Sequence, residues 1–467
     1  MSTGVAILGA GPAGLGAAFQ LARRGLGPVT VLEQGATVGG TAGSFPIEGM
    51  RADFGSHRLH PACDARILAD LKELLGDDLL LRPRHGRIRL QRRWIHFPLR
   101  PLDLALHLPG SFAAGVAADT LVKPWRRAEP GPATFASVLE AGLGPTICRE
   151  FYFPYARKIW GLAPEDLSPI QARRRVSAGS PGKLMRKILA ALSGVGRFYY
   201  PRQGFGQIST RLQAAARDGG ASFLDHARVV RIERQGERVG RVFYERGGEL
   251  ESVAAGQVWS TLPVTLLLGC LDPAPPEAVL AAAAATRFRA MILIYLVLDQ
   301  AQFSEYDAHY FPEAGIPITR VSEPKNYSAA ATPADLTVLC AELPCDTESD
   351  AWRMSDSQLG ELVRQSLAAA ELPVRSNIRN VLTRRLPHAY PLYRAGYEKH
   401  WETVDHWLGR LDNLLTFGRQ GLFAHDNTHH ALSMAYSAVD CLDGELRFDR
   451  RRWHDCRRVF ESHVVED

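Results

Sequence analysis

Val5-Ala6-Ile7-Leu8-Gly9-Ala10-Gly11-Pro12-Ala13-Gly14 stands at the head of the chain, with Thr30-Val31-Leu32-Glu33 and Gly39-Gly40-Thr41 behind it. The apolar run reads as a strand that enters a turn at Gly9. There the glycines let the backbone turn tightly and approach a pyrophosphate seated on the positive end of the following helix. Glu33 ends the second strand 19 residues after Gly14, where a carboxylate can accept both hydroxyls of an adenosine ribose. A lone glycine triplet arises by chance in Gly/Ala-rich sequence; a strand, a helix, a second strand and an acid at these offsets point to a dinucleotide site. The Gly39-Gly40 pair just past the acid favours FAD over a nicotinamide cofactor.

Around this loop the chain is 467 residues long, more than one ordinary core holds, so two intertwined domains are expected. Hydrophobic residues make up 46% and charged residues 22%, the balance of a soluble globular protein. The first strand begins almost at the first residue, which leaves no room for a signal peptide, and no apolar run reaches spanning length. Seven cysteines are scattered with no C-x-x-C pair. That usage fits a reduced, cytoplasmic compartment and speaks against a structural zinc site.

The net charge of +5 is unevenly spread. Arg82, Arg84, Arg87, Arg89, Arg92, Arg93 and Arg100 crowd one stretch and Arg173-Arg174-Arg175 another. A solvated face, a funnel for an anionic substrate and a membrane surface are the competing readings. No nucleic-acid motif accompanies the charge, so that partner is set aside. The segment Leu99 to Trp125 is apolar in patches, with Lys123 inside its end and Arg126 and Arg127 just beyond it. It reads as a helical cap over the substrate site in preference to an interfacial membrane helix.

The expected fold class is α/β (α+β): a Rossmann-type FAD-binding domain interleaved with a substrate domain of mixed sheet plus helices. Segments 1–61, 196–263 and 411–445 are assigned to the first, 62–195 and 264–410 to the second, with a helical part at 99–195. A helix is expected over Asp64 to Leu74, and short strands around Arg87–Leu90 and Trp94–Phe97. Gly206 to Asp218 reads as a helix. Strands are expected at Ser222–Leu224 and Ala227–Ile232, with a hairpin about Gly247-Gly248. Gln257 to Pro263 resembles the last strand of a dinucleotide fold. Beyond it an apolar strand is expected at Met291–Leu298 and a hairpin around Pro312 to Arg320. The chain closes with a strand at Asn413–Arg419 and a helix at His429–Leu442.

Several landmarks follow in order. They are Gly55-Ser56-His57-Arg58-Leu59-His60, then Phe151 to Lys158-Ile159-Trp160-Gly161, then Tyr200-Pro201-Arg202-Gln203-Gly204-Phe205-Gly206. Next come Thr319-Arg320-Val321-Ser322-Glu323-Pro324-Lys325, Tyr390-Pro391-Leu392-Tyr393, and Gly418-Arg419 through Asp426-Asn427-Thr428-His429-His430. Together they resemble the FAD-dependent amine oxidase superfamily, and within it the protoporphyrinogen-oxidase-like group and the UDP-galactopyranose mutases.

The resemblance implies an extended FAD held by Gly9, Gly11, Gly14, Glu33, Gly39, Gly40, Thr41, the backbone of Val229, and Arg419. The helix starting near Thr428 would aim its positive end at the flavin. The turn bearing His57 and His60 would lie against the flavin. His425 stands where the mutases carry a tyrosine, and an imidazole there suits proton exchange near neutral pH. Arg320 matches a diphosphate-binding arginine, and Tyr390, Tyr393 and Tyr397 are candidate hydroxyl donors beside it. Trp160 matches an aromatic wall. The mutases' other phosphate-binding arginine would fall at Ala178, which cannot bind phosphate; Arg173 or Arg174 could compensate. His57, His60, His425, Arg320 and Tyr390 are thus the candidate catalytic residues. Trp160, Arg173, Arg174, Arg320, Tyr390 and Tyr393 are the candidate substrate contacts. His425, His429, His430 and Asp426 cluster in sequence, but no further ligand stands at metal spacing and the helix start accounts for them, so no metal is expected.

Three functions compete. A flavin oxidoreductase would move a hydride from an anionic, nucleotide- or lipid-linked small molecule to FAD, with an external electron acceptor. A non-redox isomerase of the sugar-nucleotide mutase type would use reduced FAD at an anomeric carbon. A flavin-binding module without catalysis is the third. Tyr200-Pro201-Arg202, Ala178 and His425 favour the first; Arg320, Trp160 and the histidine turn favour the second. No nucleophile elbow supports a hydrolase, and no signature of oligomeric state is present.

Overall fold

The strand Val5–Leu8 lies at the centre of a five-stranded parallel sheet. The computed structural model describes residues 4–125, 131–175, 196–328 and 333–465; Ala178, Arg126 and Arg127 fall outside them. The sheet order is Leu414–Thr416, Gln257–Ser260, Val5–Leu8, Val29–Leu32 and Ser222–Leu224. Every residue of Val5–Leu8 is buried, as an interior parallel strand covered on both faces requires. Val5 and Ile7 lie in a cluster with the helices Pro12–Arg23 and Thr428–Asp440, and Ala6 and Leu8 in one that includes residues of a second sheet. Gln257–Ser260 is not the last strand of this sheet, contrary to expectation. It pairs on both sides, and Leu414–Thr416 takes the edge after the long excursion through residues 264–413.

A second sheet of four strands carries the hairpin expected at Gly247-Gly248, whose two glycines have φ of 59° and 88°. Both values are left-handed, and a tight hairpin turn of that twist selects glycine there. The third sheet has seven strands and joins the two excursions. Gly86–Leu90 and Arg93–Phe97 come from the first; Phe288–Leu298, Ala308–Tyr310, Arg320–Ser322, Thr337–Cys345 and Ile378–Pro391 come from the second. The arms Ala308–Tyr310 and Arg320–Ser322 form the hairpin expected around Pro312 to Arg320.

Between the sheets the described part of 99–195 is helical. The helix Phe153–Trp160 stops at Gly161, whose φ is 68°; a Cβ there would lie 2.5 Å from the Arg289 guanidinium. One glycine therefore serves both the helix end and the packing of Arg289. The helix Thr428–Asp440 lies against Pro12–Arg23 so closely that a Cβ on Gly16 would come within 2.9 Å of Leu432. A last helix, Arg450–Phe460, lies past the expected boundary at 445 and anchors Trp453 and Phe460 in the core of the dinucleotide sheet. All seven cysteines are free thiols. No helix among the described residues is long and apolar enough to cross a membrane.

Candidate functional site

Gly9 turns the chain with φ of 98°, and Gly14 brings the helix onto it: a Cβ at Gly14 would sit 2.0 Å from the Gly9 carbonyl oxygen. Gly11 differs from both, since a Cβ there would meet nothing within 4 Å. The open space at Gly11 adjoins the first turn of Pro12–Arg23, whose leading amides have no partner within the helix. Glu33 stands beside the loop, one carboxylate oxygen accepting the Ala10 N–H at 2.9 Å and the other the Gly35 N–H at 2.8 Å. Gly39, with φ of 114°, donates its N–H to the Ala10 carbonyl and brings Gly40 and Thr41 alongside. Val229 lies at a bulge two residues past Ala227, which is itself hydrogen-bonded to the Glu33 carbonyl. An open cradle of glycines, a helix end and an adjacent carboxylate fit the pyrophosphate and ribose of FAD.

From Pro12 and Thr41 a cleft with about 1220 Å³ of space, open to solvent, runs into the third sheet. Its walls bring together Thr41, His57, Arg320, Tyr390, Arg419, His425 and Thr428, from five stretches of sequence. The His57 turn is fixed from below by Asp53. That buried carboxylate accepts Ser44 Oγ at 2.5 Å, Tyr200 Oη at 2.6 Å and the Phe205 N–H at 2.9 Å. Burial pushes its pKa up. The Tyr200–Gly206 landmark is thereby tied to the histidine turn. Burial also lowers the His57 pKa, and its Nε2 donates to the Phe54 carbonyl at 2.9 Å. A neutral ring with its proton on Nε2 leaves Nδ1 as the acceptor. Ser56 Oγ beside it is buried with no hydrogen-bond partner on the cleft wall.

Four arginines reach this cleft: Arg58, Arg84, Arg320 and Arg419. Arg320 is paired with the buried Glu342, whose Oε1 also accepts the Ser56 N–H at 3.2 Å. Arg58 bridges Asp307 at 3.3 Å and donates to Tyr310 Oη at 3.3 Å. Arg419 donates to the Ala389 carbonyl at 2.6 Å and lies 4.9 Å over the Tyr390 ring. His425 is buried in an aromatic nest of Trp160 at 5.0 Å, Tyr393 at 4.7 Å and Tyr390 at 6.2 Å. It precedes the helix Thr428–Asp440, whose Asn427 cap and His430 exchange reciprocal side-chain-to-backbone bonds.

Other expected site residues lie elsewhere. His60 does not line the cleft; its Nδ1 accepts the Ala62 N–H at 3.1 Å and serves the turn. Trp160 is buried behind Tyr390 and His425, so it backs the wall without forming it. Arg173, Arg174, Tyr393 and Tyr397 line a second cavity. Tyr393 Oη donates to the Phe423 carbonyl at 2.8 Å and receives Arg174 at 3.2 Å, and its ring stacks on Tyr397 at 4.2 Å. These groups brace the framework, and neither arginine restores a second clamp in the cleft. The segment Leu99 to Trp125, expected as a helical cap, contributes no lining residue to this cleft. Of the Thr319–Lys325 motif, Thr319 and Arg320 line the cleft. Glu323 is buried and accepts the Phe303 and Ser304 N–H groups, while Lys325 holds the carbonyls of Pro333 and Leu336.

Besides Arg58, sequence reasoning missed three contributors. Lys158 donates to the carbonyls of Phe311 at 2.5 Å, Glu313 at 2.7 Å and Ile318 at 3.3 Å, locking the loop that leads into Arg320. Burial brings its pKa down to about 7. Glu342 is apparent only once the strand Thr337–Cys345 pairs with Arg320–Ser322 and sets it opposite Arg320. The tail supplies Val465, which lines the cleft and donates its N–H to the Arg174 carbonyl at 2.8 Å.

Asp426, His430 and His463 bring one potential ligand atom each within 4.8 Å of the others, the one such group among the described residues. Both Nδ1 atoms lie 3.3 Å from Asp426 Oδ1. Burial acts to raise this carboxyl, and the two imidazoles bring it down to about 2. The His430 and His463 rings stack at 4.1 Å and 14°, and His430 Nδ1 already accepts the Asn427 N–H. In-plane lone pairs of stacked rings run side by side and do not converge on one ion. His463 Nδ1 donates to Asp426 Oδ1 and so ties this end of the chain to the start of the closing helix.

A family model for flavin-containing amine oxidoreductases matches residues 12–430. A search of curated protein sequences finds no match. Among solved structures, reduced UDP-galactopyranose mutase superposes with a TM-score of 0.81 at 21% identity, covering 99% of this chain and 99% of that one. A protoporphyrinogen-oxidase-like protein of Exiguobacterium sp. 255-15 does so with a TM-score of 0.71 at 21% identity, over 94% and 98%. Putrescine oxidase bound to putrescine gives 0.62 at 18% identity, over 98% and 99%.

Proposed function

Because the chain belongs to the flavin-containing amine oxidoreductase family and takes FAD as its cofactor, we propose that it is an oxidoreductase acting on an anionic, nucleotide- or lipid-linked small molecule. The convergence of Arg58, Arg84, Arg320 and Arg419 on one cleft with His425 carries this reading. Guanidinium groups bind phosphate or carboxylate through paired, charge-assisted hydrogen bonds. In this proposal Gly9, Gly11, Gly14, Gly39, Gly40 and Thr41 hold the pyrophosphate side of FAD, Glu33 the ribose and the Val229 backbone the adenine. Thr428 opens the helix whose positive end faces the flavin.

Bound FAD supplies a two-electron acceptor for a hydride leaving a substrate carbon. The chain's own residues do the rest. Arg320 and Arg58 hold the anionic group and orient the substrate. His425 takes the proton that departs as the hydride leaves, and Tyr390 shapes the wall between Arg419 and His425. The neutral His57 offers an acceptor nitrogen at the opposite side of the turn.

A second reading, a flavin-dependent sugar-nucleotide ring isomerase, draws on Arg320 at the matching position of the Thr319–Lys325 motif. The likeness to UDP-galactopyranose mutase supports the fold common to both readings. Turnover of nucleotide sugars and amines should be compared in air and under anaerobic dithionite. The oxidoreductase reading expects turnover in air with oxygen consumed, as the two electrons taken from the substrate pass to it. Activity confined to the reduced protein, with no electrons consumed, replaces it with the isomerase.

A further inference from the structure

We propose that the outward face of the helices Pro101–His107 and Gly110–Val122 docks the protein on an anionic lipid surface. This goes beyond the catalytic reading and does not depend on it.

On the first helix Leu102 and Leu106 are 74% and 68% exposed. On the second, the exposed positions Ala113, Ala114, Ala117, Ala118, Leu121 and Val122 recur at three- and four-residue spacing, which places them along one side of a helix. Trp125, just beyond, is 78% exposed. The opposite side does the packing: Phe112, Val116, Leu104 and Leu108 join the cluster around Ile88, Ile95 and Tyr310. An apolar stripe of this length on water-facing helices marks an interaction surface.

Both acids of these helices are engaged at backbone amides of the fold. Asp103 accepts the His96 N–H at 2.7 Å, and Asp119 the Thr146 N–H at 2.7 Å. The exposed charges that flank the helices are basic: Arg92 and Arg93 at the turn of the supporting hairpin, where Glu150 is held by Gln91 and Arg149 and Glu313 by Arg89 and the Arg92 N–H, and Arg100 at the cap of the first helix; Lys123 after the second donates to the Gly142 carbonyl. The sequence continues with Arg126 and Arg127. Leucine and tryptophan toward the acyl boundary with arginine at its edge is the distribution that seats a helix in a lipid interface. A second copy packed about a twofold axis would set the same basic rim against itself, whereas anionic headgroups complement it. Tyr310, which lines the catalytic cleft, packs in the same cluster from the other side. Docking there would bring the cleft near the lipid surface.

The test is sedimentation of the FAD-loaded full chain with vesicles of phosphatidylcholine alone and of phosphatidylcholine with phosphatidylglycerol. The wild type should bind the anionic vesicles, less at high salt, and L121E/W125E should bind them about tenfold or more weakly while keeping its flavin and its melting temperature. A milder variant, L106Q/L121Q, covers the case in which the first fails to fold. Equal binding by variant and wild type, or no preference for the anionic vesicles, overturns the proposal. So does a wild type that is dimeric in gel filtration, becomes monomeric on substitution and ignores vesicles.

Discussion

Arg320 Nη2 lies 2.6 Å from Glu342 Oε1, and the pair is nearly closed from solvent, with side chains 13% and 7% exposed. A guanidinium expected to bind substrate is therefore also half of a buried ion pair. Arg320→Ala removes an anion contact and strands a buried carboxylate, a loss of about 3–5 kcal/mol in stability. In the double variant R320A/E342Q most of that stability should return while anion binding stays weak. Urea unfolding beside a binding titration separates the two. A double variant that recovers anion affinity along with stability would remove Arg320 from the substrate site.

Gly11 and Gly14 predict opposite phenotypes three residues apart. Gly11→Val adds a side chain into open space at an ordinary φ of −74°, so the protein should fold, stay colourless and show no flavin spectrum. Gly14→Ala drives a Cβ to 2.0 Å from the Gly9 oxygen and should destabilise the fold itself, by about 1–3 kcal/mol or more. Circular dichroism and flavin absorbance distinguish them. A yellow Gly11→Val protein would place the cofactor elsewhere.

Lys158 holds three carbonyls of the loop before Arg320. Lys158→Met keeps the aliphatic stem and leaves those acceptors without the ammonium, at about 1–3 kcal/mol in stability. Affinity for an anionic ligand should fall with it, because the loop that carries Arg320 loses its tether. Unchanged affinity would confine Lys158 to stability alone.

His309 and His429 are buried, and burial brings both to a pKa of about 3. Their folded pKa lies below the unfolded value near 6.5, so the stability they contribute is full above pH 6.5 and declines as pH falls toward 3. The slope should approach about 1.4 kcal/mol per pH unit for each histidine. Asp426, at about 2, holds its contribution above pH 4 and loses it only in stronger acid. Urea midpoints at pH 7, 6 and 5 should fall steadily, and His309→Gln should flatten the decline. A midpoint independent of pH over that range would contradict this account.

The histidines and arginines also show which parts of the site were open to sequence reasoning. His57 and His60 look equivalent in the sequence, yet one stacks on Phe205 at 5.2 Å beside the cleft and the other caps a turn. Arg173 and Arg174 stand near the position of a phosphate contact, but Arg174 spends its guanidinium on Tyr393, 219 residues away. Arg58 is plain in its motif, yet an arginine in a histidine turn carries no signal of its direction.

What the sequence determined by itself was the cofactor loop, the order of the elements and the family. Those rest on local geometry: a turn at Gly9, a helix at Pro12 and an acid at Glu33 are set by residues close along the chain. Only the tertiary structure decided which charges meet the substrate space. A guanidinium acts through whatever lies within about 3 Å of it, and for Arg320 and Arg58 those neighbours, Glu342 and Asp307, arrive from segments that folding alone brings together.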